Sequence, residues 1–285
     1  MTDKLIIKDF YDEATFTYSY VITDSQSGEC AVIDPVLDYD MISGRVNEKS
    51  VTEIIRYIEE NKWQLKWILE THAHADHLTA AQQLKQACGG EICIGHGIID
   101  IQKQFKTVYG FGEEFDTGGT AFDCLLNEGD TLMLGDCEIV VLATPGHTLD
   151  SLTYHVDNYL FIGDTMFHPD TGTARCDFPG GDAELLFQSI QRILSFNGDT
   201  KLCLCHDYPG PTRNPQTYIT VKEMKSNIHL IKSDNTVDKF VRIRHARDSS
   251  LSLPKLIIPS IQVNCQAGLK LNDKLRTLLW PINRF

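Results

Sequence analysis

The run Thr71-His72-Ala73-His74-Ala75-Asp76-His77 constrains this chain more than any other feature. Three imidazoles and a carboxylate set this closely have no place inside a core helix or strand, where each would need a partner or carry an uncompensated desolvation cost. On a tight loop, the spacing i, i+2, i+4, i+5 lets the side chains converge on a small volume. Imidazole and carboxylate are the ordinary non-thiolate ligands of zinc and iron. The apolar run Trp67-Ile68-Leu69 just upstream reads as a short buried strand, so the motif occupies the loop beyond a strand end. Such loops are where α/β folds place their chemistry.

The same design recurs downstream. His147 stands in Thr144-Pro145-Gly146-His147-Thr148 after Val140-Val141-Leu142-Ala143. Asp164 stands in Gly163-Asp164-Thr165 after Leu160-Phe161-Ile162, and His206 in His206-Asp207-Tyr208 after Leu202-Cys203-Leu204-Cys205. Taken singly, a histidine after a strand is more often hydrogen-bonded than ligating, and an aspartate after glycine is often a turn residue. Together they repeat one pattern, a strand that ends and a metal-type ligand just beyond it.

The rest of the chain supplies strands and helices to carry these loops. Thr17 to Thr23 and Cys30 to Ile33 read as strands, and so do Thr131 to Leu134, Cys137 to Ala143, Ser151 to Val156, Tyr159 to Ile162 and Lys201 to Cys205. Ser50 with Glu53 predicts a capping box before a helix whose apolar face is Ile54, Ile55 and Ile58. Leu78 to Cys88 reads as a helix stopped by Gly89-Gly90, and Asp182 as the cap of a helix bearing Leu186, Ile190 and Ile193. A helix is expected over Thr220 to Ile231 and an extended segment over Ile257 to Val263; the basic run Arg242 to Arg247 reads as a solvated face. No linker stands out, so the 285 residues are expected to form a single domain, with a core at about 5–210 and a C-terminal extension at about 220–285.

Composition narrows the partners. A net charge of −13 argues against nucleic acid or an anionic membrane, but not against a small anionic substrate gathered by local arginines. No run approaches the roughly 20 apolar residues that cross a bilayer, and the start of the chain has no signal-peptide pattern, so the expected location is cytoplasmic. The nine cysteines are odd in number and contain no CxxC pair, which reads as reduced, buried thiols, Cys176 among them as a partly buried one.

His72-Ala73-His74-Ala75-Asp76-His77 followed in order by His147, Asp164 and His206 resembles the metallo-β-lactamase signature. That resemblance spans roughly residues 5–210 and implies an α/β fold, the αββα sandwich of two mixed β-sheets flanked by helices, with the metal at one edge. Two families fit, the one-iron persulfide (sulfur) dioxygenases and the two-metal thioesterases of the glyoxalase II type. The element Arg175-Cys176-Asp177-Phe178 and the stretch from Gly172 to Asp182 are most similar to the bacterial β-lactamase-hydrolase-like branch of the dioxygenases.

The dioxygenase resemblance implies Fe(II), one per chain, held by His72, His147 and Asp164, with His74, Asp76, His77 and His206 orienting those ligands. It implies oxidation of glutathione persulfide by O2 and water to sulfite and glutathione. In the thioesterase alternative the same residues hold two zinc, iron or manganese ions for attack on a thioester. Arg175, Tyr208 and Arg213 are the expected substrate contacts, and the resemblance further implies a homodimer or homotetramer. The carrier thiol is not legible in the sequence.

Overall fold

The computed structural model describes residues 4–211, 213–227 and 236–268 and two short strands at Leu271–Asn272 and Thr277–Leu278. Its frame is a pair of six-stranded sheets. The first runs in the order β1 (Leu5–Asp12), β2 (Thr17–Asp24), β3 (Glu29–Ile33), β6 (Gln64–Leu69), β8 (Glu91–Gly95), β9 (Cys124–Leu126). The second is β10 (Thr131–Leu134), β11 (Cys137–Ala143), β12 (Leu152–Val156), β13 (Tyr159–Phe161), β14 (Lys201–Cys203), β15 (Tyr218–Thr220). A smaller sheet joins β4 (Val36–Asp40), β5 (Arg45–Asn47), β7 (Leu78–Thr79) and the two C-terminal strands, β16 (Leu271–Asn272) and β17 (Thr277–Leu278).

The period of two along each strand builds the layers. Tyr20 and Ile22, Ala31 and Ile33, Ile139 and Val141, and Tyr154 and Phe161 point into the space between the two large sheets. Their neighbours point outward. Val21, Val32, Ile68 and Ile92 meet α1 (Lys49–Asn61), α2 (Ala81–Cys88), α3 (Ile98–Tyr109) and α7 (Ile257–Asn264). Leu142, Leu160, Leu202 and Ile219 meet α4 (Ala183–Leu194), α5 (Val221–Asn227) and α6 (Val237–Asp248). The result is the expected αββα sandwich. Strands apolar on both faces have no stable alternative to burial, since each large apolar side chain contributes roughly 1.5–3 kcal/mol when removed from water.

Strand direction brings the functional loops together. β11 and β13 both run antiparallel to β12, and β14 runs parallel to β13, so the loops carrying His147, Asp164 and His206 leave the same edge of the second sheet.

Several local expectations are corrected. Ser50 caps nothing on its own helix; its N–H and hydroxyl donate to the Asp38 carboxylate at 2.8 and 2.7 Å, a better acceptor offered by β4. Leu78 and Thr79 are not helical but pair with Leu37 and Val36, and the helix starts at Ala81. Ile257 to Val263 is helical rather than extended, because an apolar run of that length carries no period that separates the two. The expected helix from Thr220 is seen over Val221–Asn227, and positions 228–231 lie outside the described residues. The basic run is not wholly solvated, for Arg244 is only 2% exposed. Cys176 is buried, and burial pushes its thiol up to about 12, which keeps it protonated at neutral pH. Among the described residues no helix is long and apolar enough to cross a membrane.

Candidate metal centre

The sequence motif folds into two adjoining clusters that share one carboxylate. In the first, Asp164 Oδ2 lies 3.8 Å from His72 Nε2 and 3.7 Å from His147 Nε2. In the second, His74, Asp76, His77 and His206 each offer an atom within 4.8 Å of the others. Asp164 Oδ1 faces this second group, 3.4 Å from His206 Nε2, which in turn is 3.1 Å from Asp76 Oδ2.

Whether these residues suit a metal is answered by their unused atoms. His72 Nε2, His74 Nδ1, His77 Nε2, His206 Nε2 and Asp164 Oδ1 are all buried and make no hydrogen bond. Buried polar atoms are normally satisfied, so a convergent set of unsatisfied lone pairs is the mark of a site built for a cation. Nitrogen and carboxylate donors without thiolate suit zinc, iron or manganese. Burial, reinforced by the crowding of its neighbours His74 and His147, pushes the His72 pKa well below the usual histidine range, so this imidazole is held in its neutral, ligating form.

A surrounding shell fixes which atom of each candidate ligand faces inward. His147 Nδ1–H donates to the Arg175 carbonyl at 2.7 Å, which leaves Nε2 as the free lone pair. His74 Nε2–H donates to Asp34 Oδ1 at 3.0 Å, with Glu70 Oε2 at 3.6 Å, and so turns Nδ1 toward the cluster. Burial opposes charge on His74, but these two carboxylates outweigh it and hold its pKa well above the ordinary histidine value, so a metal at Nδ1 would have to displace a proton from that atom. Asp34 also accepts from Thr71 N at 2.7 Å and Thr71 Oγ1 at 2.9 Å, from a left-handed backbone with φ +48°. Thr17 Oγ1 lies 3.2 Å from His206 Nδ1 and 3.5 Å from His77 Nδ1. Asp150 Oδ2 accepts from Ala73 N at 2.8 Å.

One clamp comes from the C-terminal extension. Asn264, on α7, donates to the carbonyls of His74 and His77, both at 2.7 Å, and accepts from Thr79 N at 2.8 Å. A single buried amide thus satisfies three backbone groups of the metal loop.

Sequence reasoning did not assign roles to Asp34, Glu70, Thr17, Asp150 or Asn264. Asp34 carried the signal, since Ile33-Asp34-Pro35 repeats the strand-end pattern. Asn264 carried none, lying 190 positions from His74 in an apolar helix.

Gly146 sets the position of His147. Its φ of +139° is open to glycine, and a Cβ there would stand 2.2 Å from Leu186 N and 2.3 Å from Leu186 Cα. Gly146→Ala is therefore expected to lose about 2–3 kcal/mol of stability, read from the urea midpoint, as α4 and the His147 loop are forced apart.

A cavity of about 160 Å³ opens onto the centre, lined by His147, Asp164 and Asp76 at its floor and by Phe167, Phe178, Tyr208 and Leu251 on its walls. Arg175 and Tyr208 both line it. Tyr208 stacks on His206 with ring centroids 5.7 Å apart. Arg175 is bound to both Asp177 oxygens at 2.6 and 2.8 Å and to the Ser252 carbonyl at 2.7 Å. Arg213 lies outside the cavity lining and grips Asp170 and Asp207.

The profile described as the metallo-beta-lactamase superfamily matches residues 12–206. A protein of Burkholderia pseudomallei named "probable metallo-hydrolase" is 46% identical over 275 residues, covering 93% of both chains. The beta-lactamase hydrolase-like protein of Agrobacterium fabrum is 44% identical over 92% of this chain, which spans 60% of that longer protein. Among solved structures, that of ETHE1 from Myxococcus xanthus superposes with a TM-score of 0.74 at 26% identity, over 92% of this chain and 99% of the other.

Proposed function

Because the chain belongs to the metallo-beta-lactamase superfamily, we propose that it works as a one-iron persulfide dioxygenase, converting a thiol-borne persulfide, dioxygen and water into sulfite and the free thiol. The observation that carries this reading is the group formed by His72 Nε2, His147 Nε2 and Asp164 Oδ2, two of whose members face the cavity. Two imidazoles and one carboxylate make the facial triad of non-haem iron oxygenases, and ferrous iron held by these residues would let dioxygen oxidise the outer sulfur of a persulfide. The likeness to ETHE1 of Myxococcus xanthus fits this reading.

The chain's own residues do the positioning. The Arg175 carbonyl fixes the tautomer and plane of His147. Phe167 and Phe178 make the cavity wall apolar beside the centre, which limits water there and holds a sulfur close to its co-reactant. Tyr208, 38% exposed, is placed to hydrogen-bond the body of a substrate from the mouth. The overall change balances as RSSH + O2 + H2O giving RSH, sulfite and two protons.

A second reading is favoured by one observation. The cluster of His74, Asp76, His77 and His206 has unpaired nitrogens of its own and shares Asp164 with the first, an arrangement that suits a two-metal thioesterase of the glyoxalase II type. The name of the Burkholderia relative as a hydrolase points the same way.

The deciding measurement is oxygen uptake by the iron-loaded protein on adding glutathione persulfide. Uptake with stoichiometric sulfite supports the dioxygenase. Absence of uptake from protein shown to hold iron, with S-lactoylglutathione cleaved under argon, replaces it with the thioesterase.

A further inference from the structure

His147 is oriented by a main-chain group, and that group is itself held from its far side. The Arg175 carbonyl, which accepts from His147 Nδ1–H at 2.7 Å, belongs to the same peptide unit as Cys176 N–H, which donates to Asp248 Oδ2 at 2.9 Å. A trans peptide is planar, with its carbonyl and N–H pointing in opposite directions. Fixing the N–H therefore fixes the line along which the carbonyl meets the imidazole. A carboxylate on the N–H also polarises the unit and makes its carbonyl a stronger acceptor.

Asp248 is buried, and its other oxygen, Oδ1, takes Arg244 Nε at 2.9 Å and Nη2 at 2.6 Å. Arg244 in turn sends Nη1 to the Thr173 carbonyl at 2.9 Å. This pair on α6 thus grips the chain on both sides of Arg175. The Arg175 guanidinium is engaged elsewhere, on Asp177 and the Ser252 carbonyl, so what this residue gives His147 is main chain alone. Stability does not account for the pair. Apolar side chains of similar volume would hold α6 against the loop as well or better, without the desolvation of two charges.

We propose that Asp248 is a positioning residue for the metal centre. It acts through the Arg175–Cys176 peptide to keep the His147 proton on Nδ1 and the Nε2 lone pair turned toward Asp164, 3.7 Å away. Arg244 is the counter-charge that holds the carboxylate in place. The relay runs from carboxylate to peptide to imidazole, with the ligand atom at its end. It rests on His147 being a metal ligand, but not on which reaction follows. It also gives α6 a part in a centre whose candidate ligands all lie between His72 and His206.

The relay is tested first in the parent protein without metal. Nitrogen NMR in mildly alkaline buffer, with the His147 signals assigned by their loss in His147→Ala, should show one neutral tautomer protonated at Nδ1. Protonation at Nε2, or an even mixture, overturns the proposal. The second test is the double variant Arg244→Met with Asp248→Leu, which removes both buried charges and fills their space. Its urea midpoint should match or exceed the parent's. His147 should become a mixture of tautomers, and metal affinity, measured by competition with a chelator, should fall about 10–100-fold. A parent-like tautomer with parent-like metal affinity would make the pair a packing contact and overturn the relay, as would an affinity that falls only in step with the urea midpoint. Oxygen uptake is measured separately. A protein that shows the relay but consumes no oxygen keeps this inference and loses the dioxygenase reading.

Discussion

His147→Ala should abolish turnover while leaving the fold in place. His147 belongs to the cluster of His72, His147 and Asp164, and its loop is held independently by the Asp182 N–H to Gly146 carbonyl bond of 2.8 Å. Removing a residue that merely orients a metal ligand costs about 10–100-fold in affinity, so losing a ligand should exceed that, and metal content after dialysis should fall below the parent's. Far-UV circular dichroism should not change. Parent-like turnover in this variant would remove the site assignment altogether. The companion His77→Ala separates the two chemistries. With one iron held by His72, His147 and Asp164, the variant keeps one metal per chain. With two metals it drops from two to one.

Asn264→Ala should loosen the metal loop from a distance. It strands the carbonyls of His74 and His77 and the N–H of Thr79, each a buried group whose lost partner costs about 1–3 kcal/mol. We expect metal affinity, measured by competition with a chelator, to fall about 10–100-fold, and the metal-free protein to lose stability in urea. Asn264→Leu fills nearly the same volume and distinguishes packing from hydrogen bonding; parent-like metal affinity in that variant would refute the clamp. Asn264→Asp keeps the acceptor for Thr79 N but turns a carboxylate toward two carbonyls, and should be at least as damaging.

What could be read from the sequence, and what could not, follows from range. The sandwich was legible because its strands are apolar on both faces and its ligands follow strand ends, both local patterns. Val140 to Ala143 announces a buried strand, and His147 announces what lies beyond it. The clusters were legible as a set of residues, and the structure adds the pairing, with Asp164 turned to both. Misreadings arose where a distant group decided the outcome. Ser50 serves Asp38 across 12 positions instead of its own helix. Thr79 is drawn out of a helical pattern by Asn264 on its backbone and Glu70 on its hydroxyl. Arg244 sits in a basic run that looks solvated, yet Asp248 and Thr173 draw it inside. Composition around an arginine reveals its charge but not whether that charge is already spoken for.

The reach of Asn264 also sets an order of events on the ribosome. Every candidate ligand, from His72 to His206, emerges before α7 has been made. Until that helix docks, the loop carrying His72, His74, Asp76 and His77 lacks its clamp, so the geometry of the candidate centre is completed only after all of its own residues have been made.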